Sequence, residues 1–402
     1  MNNTRRFAHV LLVMVVTLIS TFLSPAVRAL KPRVPGANGR LIVFGESLVD
    51  PGNLYTAIGH LFPSAPYYQG RWSNGPTFAE YLADLQCRAM ENFAFAGATT
   101  NNGNVTALPV KSLVQMPSTS EQLQLFDLYH LLTASGSAFK DDIVMMTAGA
   151  NEIFRSIEGI LSGDLPTDYL PNVIAGNLKQ QILALKEQGL VRFILFSLPP
   201  IEDSPRNKLG NYPPEVRDTV NRINIALEQM VVEVRDQDRD NETDPRRRIK
   251  WIHYISFHEI IATLEDPLIL DAMHIKNSNS SCLQTLKYDI DLGNDFYNFL
   301  ELVTHANTIP MCDNPDEYFY WDASHFSAQI HRTIGYMLDD AVAKFEANEC
   351  WTIDSGRILE LVNQNELYTP IVLPKQSATT SIVRTMMQKF PVLRLAFRTF
   401  ML

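Results

Sequence analysis

Five residues in four short stretches have the types and the order needed to attack an ester. The stretches are Phe44-Gly-Glu-Ser-Leu-Val-Asp-Pro-Gly-Asn53, Asn92-Phe-Ala-Phe-Ala-Gly-Ala-Thr-Thr100, Thr147-Ala-Gly-Ala-Asn-Glu152 and Tyr318-Phe-Tyr-Trp-Asp-Ala-Ser-His-Phe-Ser327. A hydroxyl such as that of Ser47 is a poor nucleophile until a base takes its proton in the transition state. His325 is a suitable base. Asp322, three residues earlier, can hydrogen-bond the imidazole if the intervening residues form one turn, which fixes the tautomer and stabilises the imidazolium. Gly97 lets backbone approach a ligand closely and aim its N–H inward, and the Asn151 side chain can donate to an oxygen that gains charge during attack. Each residue also has a plainer role: Ser47 and Asn151 as helix caps, Gly97 as a turn glycine, and Asp322 as a casual neighbour of a histidine. The weight lies in all five occurring in order, each just after or near an expected strand.

Those strands are short apolar runs. Leu41-Ile-Val-Phe44 ends at Gly45, and Ile143-Val-Met-Met146, Phe193-Ile-Leu-Phe196 and the interrupted run from Ile249 to Ile255 follow. Helical patterns lie between them, at Thr77 to Leu85, Val173 to Gln188 and Pro214 to Val234. Alternating strands and helices predict an α/β domain whose parallel sheet is covered on both faces. Ligands of such sheets sit outside the carboxyl ends of the strands, where the stretches above fall. The segment from Asp236 to Arg248 reads as a charged loop, and Asp271 to Asp313 as a long surface excursion.

Taken together, these blocks resemble the GDSL family of lipases and esterases, also called SGNH hydrolases. Phe44-Gly-Glu-Ser-Leu matches the first block and continues into Asp50-Pro-Gly-Asn53. Gly70-Arg-Trp-Ser-Asn-Gly-Pro76 is similar to a segment of the subgroup holding bacterial phospholipases, glycerophospholipid:cholesterol acyltransferases and plant lipases. Gly97, Asn151, Ser197-Leu-Pro-Pro200 and the Asp322/His325 pair match the later blocks, over residues 41–341. The resemblance implies a three-layer α/β/α sandwich with a parallel, flavodoxin-like sheet. It implies Ser47 as nucleophile, His325 as base and Asp322 as its orienting acid, with Ser47 N–H, Gly97 N–H and the Asn151 amide as oxyanion hole. No cofactor is called for. Glu46 and Glu152 depart from the family's aspartates, each one methylene longer. The implied activity is cleavage of fatty-acyl esters of phospholipids or lysophospholipids, with transfer of the acyl group to an alcohol as a variant. Alternatives are a carboxylesterase acting on simple or carbohydrate esters and a silent membrane-binding protein. The Gly-x-Ser-x-Gly elbow of the α/β-hydrolases is absent.

Bulk properties agree with a globular enzyme. The 402 residues are 46% hydrophobic and 19% charged, and the net charge of −10 argues against a nucleic-acid partner. Arg5 and Arg6 followed by the apolar stretch from Val10 to Leu23, with Val27 and Ala29 at cleavage spacing, predict a signal peptide over 1–29 and a secreted protein; an uncleaved anchor is the alternative. A hydrolase domain over 40–345 and a C-terminal extension over 346–402 follow. Of the four cysteines, Cys282 and Cys312 flank a polar stretch and are the favoured disulfide, which would stabilise the fold by about 3.5 kcal/mol on the chain-entropy model; two free thiols are the alternative. The region around them also resembles a cysteine-bearing insert of some family members. No cysteine or histidine cluster has zinc spacing, so no metal is expected. In the tail, Leu393, Phe397, Phe400 and Met401 share one helical face beside Arg394 and Arg398, with no acid after residue 370. That pattern predicts either peripheral contact with anionic lipid or a helix packed back on the domain.

Overall fold

The computed structural model describes residues 39–105, 116–133, 141–206, 214–285, 308–369 and 381–389. The expected signal peptide and the amphipathic end near Phe397 lie outside them. Seven strands are present among the described residues: β1 (Arg40–Phe44), β2 (Ala89–Asn92), β3 (Ile143–Met146), β4 (Arg192–Phe196), β5 (Trp251–Ile255), β6 (Asn277–Ser281) and β7 (Tyr318–Tyr320). The helices that matter below are α1 (Asn53–Ala57), α2 (Phe78–Leu85), α3 (Thr119–Thr133), α4 (Ala150–Ser162), α5 (Tyr169–Glu187), α6 (Pro214–Asn241), α7 (Phe257–Leu264), α8 (Ala328–Glu346) and α9 (Ile382–Lys389).

Strands β1 to β5 form one wholly parallel sheet in the order β2-β1-β3-β4-β5. Their apolar runs explain why. Side chains alternate across a strand, and both sets are buried: Ile42, Phe44, Val144, Met146, Phe193 and Leu195 on one face, Leu41, Val43, Ile143, Met145, Ile194 and Phe196 on the other. Helices α3, α5, α6 and α9 cover the first face; α2, α7 and α8 cover the second. The result is an α/β/α sandwich with the flavodoxin-like strand order, as expected from the resemblance.

Two local expectations are corrected, and one strand gave no signal in the sequence. Strand β2 carries the polar sequence Ala-Met-Glu-Asn and is only partly buried at its first three residues, so it gives no apolar run to read. The charged stretch from Asp236 is helical to Asn241, not a loop. Asp238 is buried there, pairing with Lys186 Nζ at 2.7 Å and accepting from Ile249 N at 2.8 Å, so its charge fastens α6 to its neighbours. Within the supposed surface excursion, Asn277–Ser281 forms β6, which pairs in parallel with β7 just before the Asp322 loop. Cys282 and Cys312 are disulfide-bonded there, and Cys282 and Leu283 are fully buried.

Candidate active site

The turn after β1 is held from every side. A side chain on Gly45 would run into Thr147 Oγ1, so only glycine fits. Gln122 on α3 grips both its backbone groups: Gly45 N donates to Gln122 Oε1, and Gln122 Nε2 donates to Gly45 O, both at 2.8 Å. Three residues past Ser47, the Asp50 carboxylate accepts from Gly52 N (2.8 Å), Asn53 N (2.6 Å) and Ala96 N (2.8 Å). It thereby caps α1 and ties the Ser47 turn to the chain leading into Gly97. Burial pushes the Asp50 carboxyl up to about 6, against the pull of these donors. Asn53 donates to Asn92 O and Ala94 O, both at 2.8 Å. Its Oδ1 accepts from Ser381 Oγ at 2.8 Å and Val383 N at 3.3 Å, so α9 packs back onto α1.

Ser47 Oγ lies 2.8 Å from His325 Nε2. His325 Nδ1 is 2.8 Å from Asp322 Oδ1 and 2.9 Å from Oδ2. An ionised carboxylate only accepts, so Nδ1 carries the proton and Nε2 is left to receive one from Ser47. Asp322 Oδ1 also accepts from Ser324 N at 2.9 Å and His325 N at 2.8 Å, which closes the one-turn loop between acid and base. Burial alone would raise the Asp322 carboxyl; His325, Ser324 N and the Tyr67 hydroxyl together hold it below the usual range.

Two residues around this trio were not singled out from the sequence. Tyr67 donates its hydroxyl to Asp322 Oδ2 at 2.8 Å, and the Trp72 ring lies 5.0 Å from the His325 ring, tilted by 40°. Trp72 belongs to the Gly70–Pro76 block, which also fastens the far side of the histidine loop. Ser73 Oγ donates to Phe326 O at 3.0 Å, and Ala328 N donates to Asn74 Oδ1 at 2.7 Å. The block was legible as a motif; its task was not, because it lies some 250 residues from the loop it holds. Of the other histidines, His331 is buried, accepts from Phe78 N and is driven by burial down to about 3. His253 stacks on Phe345 at 3.6 Å, and His258 pairs with Glu202 at 3.1 Å.

Ser47, Gly97, Asn151 and His325 all line one cleft at the carboxyl ends of the strands. Its walls are chiefly apolar, including Leu48, Met116, Phe154, Ile201 and Phe326. Gly97 has φ +79°, a left-handed backbone suited to glycine, with a side-chain position facing Met116 at 3.2 Å. Neither Ser47 N nor Gly97 N is engaged in a hydrogen bond with another described residue. Asn151 stands in the first turn of α4, and both hydrogens of its amide are in use: Nδ2 donates to Ala98 O at 2.8 Å and to Glu46 Oε2 at 3.1 Å. A cleft of this make-up can hold an acyl chain on carbon and present a hydroxyl, a base and backbone donors to its ester end.

The family model described as GDSL-like Lipase/Acylhydrolase matches residues 41–338. A phosphatidylcholine-sterol acyltransferase from Aeromonas hydrophila is 28% identical over 42% of this chain and 47% of its own length. A thermolabile hemolysin from Vibrio parahaemolyticus is 20% identical over 75% of this chain and 63% of its own. The secreted effector protein SseJ from Salmonella typhimurium is 21% identical over 77% and 65%. The chain thus spans about half to two thirds of the length of the curated relatives it matches.

Proposed function

Since the chain belongs to the GDSL-like lipase/acylhydrolase family, we propose that it is a secreted serine hydrolase that cleaves fatty-acyl esters of phospholipids or lysophospholipids through an acyl-enzyme on Ser47. The observation that carries this reading is the 2.8 Å contact between Ser47 Oγ and His325 Nε2, backed by Asp322 on Nδ1. Ser47 Oγ bonds to the ester carbon while its proton passes to His325 Nε2. The carbonyl oxygen gains charge facing Ser47 N, Gly97 N and the Asn151 amide. As the C–O bond to the leaving alcohol breaks, the imidazolium returns its proton to that alcohol. Water then enters by the same route in reverse and releases the fatty acid. Donors set before the charge appears are usually the largest contribution to such catalysis. The apolar cleft supports an acyl substrate, and the chemistry requires neither metal nor cofactor.

A second reading, acyl transfer, differs only in the group that attacks the acyl-enzyme: an alcohol such as a sterol replaces water. The name of the Aeromonas relative favours it. The domain reading places an export signal at 1–29, the hydrolase at 40–345 and an extension at 346–402, with its basic end touching lipid. No helix among the described residues is long and apolar enough to cross a membrane.

The test is fatty-acid release from lysophospholipid, diacyl phospholipid and an acetylated sugar, with and without a sterol acceptor, for the protein and for Ser47→Ala. Release from the two lipids is expected, falling on the order of 10⁶-fold in the variant. Equal turnover by Ser47→Ala would remove the nucleophile assignment, and reaction with the acetylated sugar alone would remove the lipid assignment.

A further inference from the structure

Glu46 is a buried carboxylate that the reaction above leaves without a task. It precedes the nucleophile, is only 5% exposed and lines the cleft. Its single hydrogen-bond donor among the described residues is the amide of Asn151, with Nδ2 to Oε2 at 3.1 Å. A nitrogen with two hydrogens can make two such bonds, and the other goes to Ala98 O at 2.8 Å. To serve an oxyanion, the Asn151 amide must therefore release one of its two acceptors. Ala98 O is a backbone group of the loop that carries Gly97, fixed by the chain; Glu46 Oε2 is the end of a side chain with three rotatable bonds. The bond to Glu46 is the one that can be exchanged.

We propose that Glu46 is a positioning residue for Asn151: it holds the amide at the edge of the oxyanion hole and hands one N–H over to the acyl oxygen as charge develops there. The hand-over is between two oxygens of like character, so the amide is never left without an acceptor in a dry cleft, where an unsatisfied donor is costly.

The state of the carboxyl modulates this exchange. An ionised acceptor binds an N–H about twice as strongly as a neutral one, so the ionised form holds the amide back and the protonated form lets it go. Burial, with Glu152 on α4 adding to it, pushes the Glu46 carboxyl up to about 7, while His325 and the Asn151 amide pull the other way. Glu152 is occupied by Thr100, which donates through N and Oγ1 to its Oε1, and Arg155 and Arg206 are the cations on the same cleft. His325 and Glu46 line the same cleft beside the nucleophile, and the imidazole favours the ionised form of the carboxyl.

The inference rests on the reading of Asn151 as an oxyanion donor, and a double-mutant cycle separates the two. Asn151→Ala alone should lower kcat about 10²- to 10³-fold with little change in KM; an unaffected kcat would sink the oxyanion reading itself. Glu46→Ala should lower kcat about tenfold in the parent protein and not at all in the Asn151→Ala background. An equal loss in both backgrounds, or none in the parent, would overturn the role given to Glu46. If Glu46→Ala fails to fold, Glu46→Gln decides, since it keeps an acceptor at the same reach. It should retain kcat within a few-fold, and the acid limb of kcat against pH should lose the ionisation of the Glu46 carboxyl, which burial pushes up to about 7. A limb identical to that of the parent protein would overturn the proposal.

Discussion

The Tyr67 hydroxyl and the Asp322 carboxylate meet at 2.8 Å across 255 residues of chain, both of them buried. The contact fixes the oxygen of Asp322 that the backbone of its own loop leaves open. Every acceptor of the acid is then satisfied while it supports His325.

Tyr67→Phe tests that role. Hydrogen bonds to charged groups contribute about 1.5–3 kcal/mol, so kcat/KM should drop roughly 10- to 100-fold, at the scale of 1.4 kcal/mol per factor of ten. Losing this donor also lets the Asp322 carboxyl rise toward its ordinary range, so the fall should be steepest on the acid side of the profile. Steady-state kinetics across pH, with near-UV circular dichroism to confirm packing, provides the check. An unchanged profile would place Tyr67 outside the machinery.

The docking of α9 predicts a stability effect far in sequence from the nucleophile. Met386 is 1% exposed against the first face of the sheet, and Ser381 bonds Asn53 beneath the Ser47 turn. Met386→Ala should cost about 2–5 kcal/mol, and Ser381→Ala about 1 kcal/mol. Thermal unfolding should show both losses, the first the larger. Two wild-type melting curves would mean that α9 is not seated as described.

Acid titration offers a test with a definite sign. Burial raises the Glu46 carboxyl to about 7, and unfolding returns it to the ordinary range near 4.5. The folded state then binds the proton more tightly, so this group's contribution is complete below the unfolded value and is lost as pH rises through about 7. His331, driven down to about 3 by burial, acts in the opposite sense and loses stability toward acid. Asp50, which burial also raises, adds to the Glu46 effect, so the wild-type curve alone mixes several groups. The difference in Tm between Glu46→Gln and the parent isolates Glu46 and should grow in favour of the variant from pH 5 to pH 8. A constant difference would contradict the burial argument.

Much of the architecture was legible because a sheet buried on both faces must be written in continuous apolar runs. The runs at residues 41, 143 and 193 became β1, β3 and β4 within a residue. Strand β2 escaped because an edge strand needs only one good face, and its Ala-Met-Glu-Asn sequence supplies less than that. The charged end of α6 escaped because Asp238 is held by Lys186, a partner no local pattern could show. At the site, Ser47, Gly97, Asn151, Asp322 and His325 announced themselves by type and order. Tyr67 and Trp72 did not, since an aromatic residue in a loop gives no hint of which imidazole or carboxylate it will touch. Glu46 was visible as a departure from the family's aspartate, but its grip on Asn151 needed coordinates.

Asn53 faces two ways: one end of its amide secures the chain behind the nucleophile, and the other receives Ser381, made 328 residues later. The floor under Ser47 is therefore completed by the last described stretch of the chain. A change at Ser381 would in this way reach the chain behind the nucleophile without touching any residue that performs the chemistry.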